Sequence, residues 1–182
     1  MMQDAIKNFH KQFKFRPKIQ YRDPSTALRA YRWYKTYIVC GMGGSHLAAG
    51  LLQLAYPELD IVVHRNYGLP HLTDARWKKA LVIASSYSGN TEETISAYEE
   101  ARQKGLPVIS IAVGGKLIEL SQKNNTPYIQ MPDTKIQPRS ALGFSMKALM
   151  KAMKLTEGLK EITLLAKSLE PKAFEQAGKE LA

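Results

Sequence analysis

Two short segments carry residues in a pattern that can do chemistry. The first is Gly41-Met42-Gly43-Gly44-Ser45, directly after the apolar run Tyr37-Ile38-Val39-Cys40. The second is Ser86-Tyr87-Ser88-Gly89-Asn90-Thr91, directly after Leu81-Val82-Ile83-Ala84-Ser85. Gly43, Gly44 and Gly89 let backbone approach a ligand closely. A helix that starts after such a turn presents free N–H groups and a partial positive charge. Ser45, Ser86, Ser88 and Thr91 add hydroxyls. Hydroxyls, amides and a helix dipole together suit a phosphate without a lysine. By itself the second segment is equally well read as a helix-capping turn; the glycine-rich partner one strand earlier favours a ligand site.

Other phosphate and acyl-transfer motifs do not fit. A dinucleotide fingerprint would need a third glycine where His46 stands, and an acidic residue after the second strand, which ends in His64-Arg65. A P-loop would need Gly-Lys-Ser/Thr, but Gly115-Lys116 is followed by Leu117. No Gly-x-Ser-x-Gly nucleophile elbow occurs.

The elements that position these loops read as alternating strands and helices. Strand-length runs recur at Tyr37–Cys40, Asp60–His64, Leu81–Ser85, Val108–Val113 and Tyr128–Met131. They are near-continuously apolar, which implies burial on both faces and hence a parallel sheet. Alternation with helical segments predicts an α/β fold: a three-layer, doubly wound, five-stranded parallel sheet flanked by helices. Ligands in such sheets sit beyond the carboxyl ends of the strands, where both loops fall. Leu47, Leu51 and Leu54 share one helix face. Asn90 is the expected cap of the helix after the third strand, with Glu93 reaching back and Gly105 ending it. From Ser140 onward the chain reads as helix, broken at Gly158 and Pro171. The expected organisation is a basic helical arm over 1–35, a core domain over 36–155 and C-terminal helices over 156–182.

Length and composition agree. The 182 residues, 45% apolar, suit one domain with a sizeable core. No apolar run approaches the roughly 20 residues needed to span a bilayer. Met1-Met2-Gln3-Asp4 lacks the layout of a signal peptide. Cys40 is the single cysteine, so a reducing cytoplasm is the expected home, and no metal or cofactor is called for. Of the net charge of +10, residues 1–35 hold +7: nine Lys/Arg against Asp4 and Asp23. With Phe9, Phe13, Phe15 and Tyr21 interleaved, that arm admits a nucleic-acid reading. A solvated helix face with docked aromatics is the preferred one, and deletion of the arm is expected to cost stability more than ligand affinity.

Four segments together resemble a known family. Gly41-Met42-Gly43-Gly44-Ser45, Arg65-x-Tyr67-x-Leu69-Pro70, Ser86 through Thr94, and Pro138-Arg139-Ser140-Ala141-Leu142-Gly143 look like the bifunctional phosphoglucose/phosphomannose isomerases, which carry tandem sugar-isomerase (SIS) domains. The resemblance spans roughly residues 35–155. It implies that Ser45, Ser86, Ser88 and Thr91 hold the phosphate of a hexose 6-phosphate, and that Arg139 sits over the sugar and stabilises an enediolate. Without the resemblance, Arg139 would be read as one half of a surface ion pair. In that family the glutamate base, the ring-opening histidine and a further lysine belong to a second SIS domain, and this sequence offers no counterpart. His46, Glu92, Glu93, His64, His71 and His10 are the remaining acid–base candidates. Three readings follow: one SIS domain needing a second, or forming a homodimer; a sugar-phosphate binder or sensor without catalysis; and, more distantly, a basic nucleic-acid module.

Overall fold

The computed structural model describes residues 2–21 and 34–180. Its centre is one sheet of five parallel strands: β1 (Thr36–Cys40), β2 (Asp60–His64), β3 (Ala80–Ser85), β4 (Val108–Ala112) and β5 (Tyr128–Gln130), in the order β2-β1-β3-β4-β5. The order reverses beside β1, whose register sets Thr36 opposite both Asp60 and Ala80 and Cys40 opposite both His64 and Ala84. The carboxyl ends of β1 and β3 therefore lie side by side. That is the doubly wound fold the apolar runs predict.

The helices are α1 (Met2–Lys7), α2 (Leu47–Ala55), α3 (Asp74–Trp77), α4 (Glu92–Gln103), α5 (Gly115–Lys123), α6 (Leu142–Ala152), α7 (Thr156–Ser168) and α8 (Glu175–Glu180). Successive strand residues point to opposite faces, so the sheet feeds two cores. Tyr37, Val39, Ile83 and Ile111 pack with Ala49 and Leu52 of α2 and Ala148 and Leu149 of α6. Ile38, Cys40, Val82 and Ala112 pack with Ala97 and Tyr98 of α4 and Leu117 of α5. Each fully buried Val or Ile contributes about 1.5–3 kcal/mol by leaving water.

Two local readings are corrected, and one is completed. Asn90 does not cap α4; Thr91 is the N-cap, and the Asn90 side chain instead accepts from the Lys116 amide at 2.9 Å. Gly158 does not break a helix but lies inside α7, where a Cβ would fall 1.9 Å from the Tyr56 hydroxyl. The break comes earlier, at Lys154, whose φ is +60°. The leucines of α2 share a face, but it is the outward one: Leu47, Leu51 and Leu54 are 42%, 44% and 80% exposed, and Ala48, Ala49 and Leu52 face the core.

The basic arm packs on the domain over its described part. The 3-10 turn Phe9–Lys14 lies against α6 and α7, with Phe13 buried and Phe15 edge-on to Phe144. The chain then extends through Pro17, and Gln20 pairs antiparallel with Tyr128, covering the β5 edge. Residues 22–33, which carry three of the arm's nine basic residues and Asp23, lie outside the described residues. Among the described residues no helix is long and apolar enough to cross a membrane.

Candidate phosphate site at the carboxyl ends of β1 and β3

After Cys40 the chain turns through Gly43, at φ +53°, into the 3-10 segment Gly43–His46, which runs on into α2. Ser45 is buried, and its hydroxyl accepts the Tyr87 amide at 3.0 Å. That bond ties the β1 loop to the β3 loop.

The β3 loop is held from both sides. The Ser86 hydroxyl lies 2.8 Å from that of Thr91 and accepts the Gly89 amide at 3.1 Å. The Tyr87 carbonyl accepts from Val113 and the Gly89 carbonyl from Leu117, anchoring the loop to the segment after β4. Gly89 has φ +77°, and a Cβ on it would lie 1.8 Å from the Gly114 carbonyl oxygen. The Ser88 hydroxyl is exposed and accepts the Asn90 amide at 3.2 Å. No side chain caps the first turn of α4, since Thr91 makes no capping hydrogen bond. The result is a rigid turn that presents hydroxyls at an uncapped helix start, a ready seat for an anion.

Arg139 lies on the 3-10 turn Pro138–Ser140. Its backbone rests against the β1 loop, where a Cβ on Gly44 would lie 2.6 Å from the Arg139 nitrogen. The side chain is exposed and has no carboxylate partner among the described residues, so the ion-pair reading does not describe it. The structure thus gathers Gly44, Ser45, Ser86, Thr91 and the Arg139 backbone into one cluster, with Ser88 on its exposed rim.

The segment after β2 lies against α4. Its backbone is pinned to α4: the Gly68 amide donates to the Ser96 hydroxyl at 3.1 Å and the Leu69 amide to Glu100 at 2.8 Å. Tyr67 donates to Glu92 at 3.1 Å, and that carboxylate raises the Tyr67 phenol above its ordinary value. The Lys104 ammonium, and after it the Leu69 amide, hold Glu100 below the usual carboxylate range against the opposing effect of burial. The acid–base candidates do not converge. His46 is half-buried with Nδ1 unpartnered, His64 lies 3.3 Å from the Tyr67 carbonyl, His71 is exposed, and His10 belongs to the arm.

Gln12 and Lys147 escaped the sequence reading. Gln12 bonds the start of α6, and Lys147, buried without a carboxylate partner, donates to the Phe13 carbonyl and the Thr163 hydroxyl. One signal was available for Gln12: Ala141, immediately before α6, has no side-chain oxygen to cap it, which leaves its first amides open to a remote acceptor.

Comparison with known proteins finds relatives by sequence and by fold. A bifunctional phosphoglucose/phosphomannose isomerase of Caldicellulosiruptor bescii is 45% identical over 116 residues, 62% of this chain and 33% of the relative. One from Aquifex aeolicus is 34% identical over 157 residues, 82% of this chain and 47% of the relative. The chain therefore spans about a third to a half of the length of these relatives. The sugar isomerase domain of an RpiR transcription factor from Sphaerobacter thermophilus shares the fold, with TM-score 0.51 and 15% identity over 91% of this chain and 92% of that one. No protein-family model matches the chain.

Proposed function

We propose, from the premise that this chain belongs to the SIS-domain family of the bifunctional phosphoglucose/phosphomannose isomerases, that it binds a hexose 6-phosphate at the carboxyl ends of β1 and β3. The bond from the Tyr87 amide to the Ser45 hydroxyl carries this reading, because it brings two hydroxyl-bearing loops to one helix start. Ser45, Ser86, Ser88 and Thr91 take the phosphate, with backbone supplied by Gly43, Gly44 and Gly89. Arg139 faces the sugar, where a guanidinium that stays charged at all working pH values stabilises negative charge on the enediolate oxygen. The setting is a reducing cytoplasm, consistent with a lone buried thiol.

Interconversion of aldose and ketose also requires a base within hydrogen-bonding reach of the carbon-bound proton and help in opening the pyranose ring. We assign both to a different SIS domain; a second copy of this chain, which carries no counterpart of those groups, could pair with it only through its surface. The outward row Leu47, Leu51 and Leu54 supports such pairing, since soluble proteins avoid leaving contiguous apolar surface to water. Light scattering is then expected to give a dimer mass, and a monomer at high concentration contradicts the homodimer.

The test is calorimetric titration with fructose 6-phosphate and glucose 6-phosphate. Changing both Ser86 and Ser88 to Ala should weaken binding by about 2–3 kcal/mol through loss of two charge-assisted bonds. Unchanged affinity in that variant refutes the site. In a coupled isomerase assay the isolated domain should be nearly inactive, because each missing acid–base group is worth roughly 10²–10⁴-fold. Robust turnover abolished by changing His46 or Glu92 would move catalysis into this domain. Full affinity without turnover, even with a second SIS polypeptide added, would favour the sensor reading.

A further inference from the structure

The N-terminal arm reaches the Arg139 turn through one side chain. Gln12, 4% exposed on the turn Phe9–Lys14, uses both ends of its amide. Its Nε2 donates to the Ser140 carbonyl at 2.6 Å, and its Oε1 accepts the amides of Gly143 at 2.9 Å and Phe144 at 3.3 Å. The first-turn amides of α6 need an acceptor, and Ala141 has no side-chain oxygen to provide one. A carboxamide is the group that can cap them and at the same time donate to the carbonyl beside Arg139. Gly143 leaves it room, since a Cβ there would lie 2.8 Å from Gln12 Cβ. Lys147 fixes the arm segment in turn, with Nζ 2.5 Å from the Phe13 carbonyl and 2.8 Å from Thr163.

We propose that Gln12 is a positioning residue for Arg139: it holds the Pro138–Ser140 turn at its Ser140 end while Gly44 receives it at Pro138 and Arg139, so that the guanidinium is presented to the sugar in one place. This rests on the reading of Arg139 as the sugar-facing group. It departs from the expectation that the arm matters to stability more than to ligand affinity. The Gln12 amide bonds the turn at Ser140, and Gly44 lets its Pro138–Arg139 backbone lie against the β1 loop. With the tether gone the turn is free to shift, and a misplaced guanidinium loses the sugar while the serine loops keep the phosphate.

The experiment compares the unaltered chain with Q12A, Q12E, R139A and Q12A/R139A, titrating inorganic phosphate and fructose 6-phosphate separately. Phosphate affinity should stay within about twofold throughout. Fructose 6-phosphate affinity should fall about tenfold in Q12A and in R139A, as for loss of one charge-assisted contact. It should fall no further in the double variant, because Gln12 acts through Arg139. Q12E keeps an acceptor for the two amides but turns a carboxylate oxygen toward the Ser140 carbonyl, so it should melt below the unaltered protein and share the affinity loss of Q12A. Trypsin cleavage after Arg139 should be several-fold faster in Q12A. Additive losses, equal loss of both ligands, full affinity in Q12E or unchanged cleavage overturns the inference. A specific loss in R139A with none in Q12A overturns it alone and leaves the site standing. Binding of neither ligand by the unaltered chain overturns the sugar-phosphate reading, and this inference falls with it.

Discussion

Arg139 lies where it does because Gly44 has no side chain: a Cβ there would stand 2.6 Å from the Arg139 nitrogen and 2.8 Å from its Cα. The glycine-rich loop after β1 thus serves the Arg139 turn as much as any ligand. Gly44→Ala should push the Pro138–Ser140 turn off the β1 loop and weaken fructose 6-phosphate binding about tenfold. Calorimetry reads the change, and wild-type affinity in that variant would contradict the contact.

Gly89 is constrained twice, by φ +77° and by the Gly114 carbonyl 1.8 Å from where a Cβ would sit. Gly89→Ala should cost about 2–3 kcal/mol, a fall in Tm of about 4–12 °C for a chain of this size. Gly43 also has positive φ, but nothing lies within 4 Å of its would-be Cβ. Gly43→Ala should therefore cost only the backbone strain, about 1–2 kcal/mol. Thermal melts that rank the two the other way would overturn this account.

Asp60 supplies a pH dependence. Burial alone would raise its carboxyl, but the Arg76 guanidinium and the Thr36 hydroxyl at 2.8 Å outweigh burial and hold it below the ordinary value. A carboxyl lowered in the folded state adds stability above its unfolded pKa and loses it as pH falls through the folded one. Both partners are partly exposed, so Asp60→Asn should cost only about 0.5–1 kcal/mol at pH 7. Urea titrations should show that difference shrinking as pH falls below the ordinary carboxylate range. A constant difference across pH would refute the pairing.

Cys40 should be inert while the protein is folded. Burial, with a smaller contribution from the Glu100 charge, pushes its thiol up to about 12. At pH 8 the thiolate fraction is then on the order of 10⁻⁴. Reaction with a disulfide reagent should follow the unfolding rate, and fast labelling of native protein would show the strand end to be open.

The sequence by itself determined the sheet and the two loops. Continuous apolar runs such as Ile38–Cys40 and Leu81–Ala84 can be buried on both faces only inside a parallel sheet, and glycine with hydroxyl residues at strand ends is a local pattern. Gly105 was legible as a stop for the same reason, since positive φ is a property of one residue and its neighbours. The cap of α4 was misassigned because Asn90 satisfies a different helix, α5, across 26 positions of chain. The outward row Leu47, Leu51 and Leu54 had the period of a core face, and only the placement of Ala48, Ala49 and Leu52 decided which side met the sheet. Which partners hold the site was decided by tertiary structure alone. Gln12 meets Ser140 across 128 positions and Tyr67 meets Glu92 across 25. Such contacts arise because backbone amides and carbonyls left over at helix ends must be paired by whatever polar group the packing of apolar faces brings within reach. No local pattern records which one that will be.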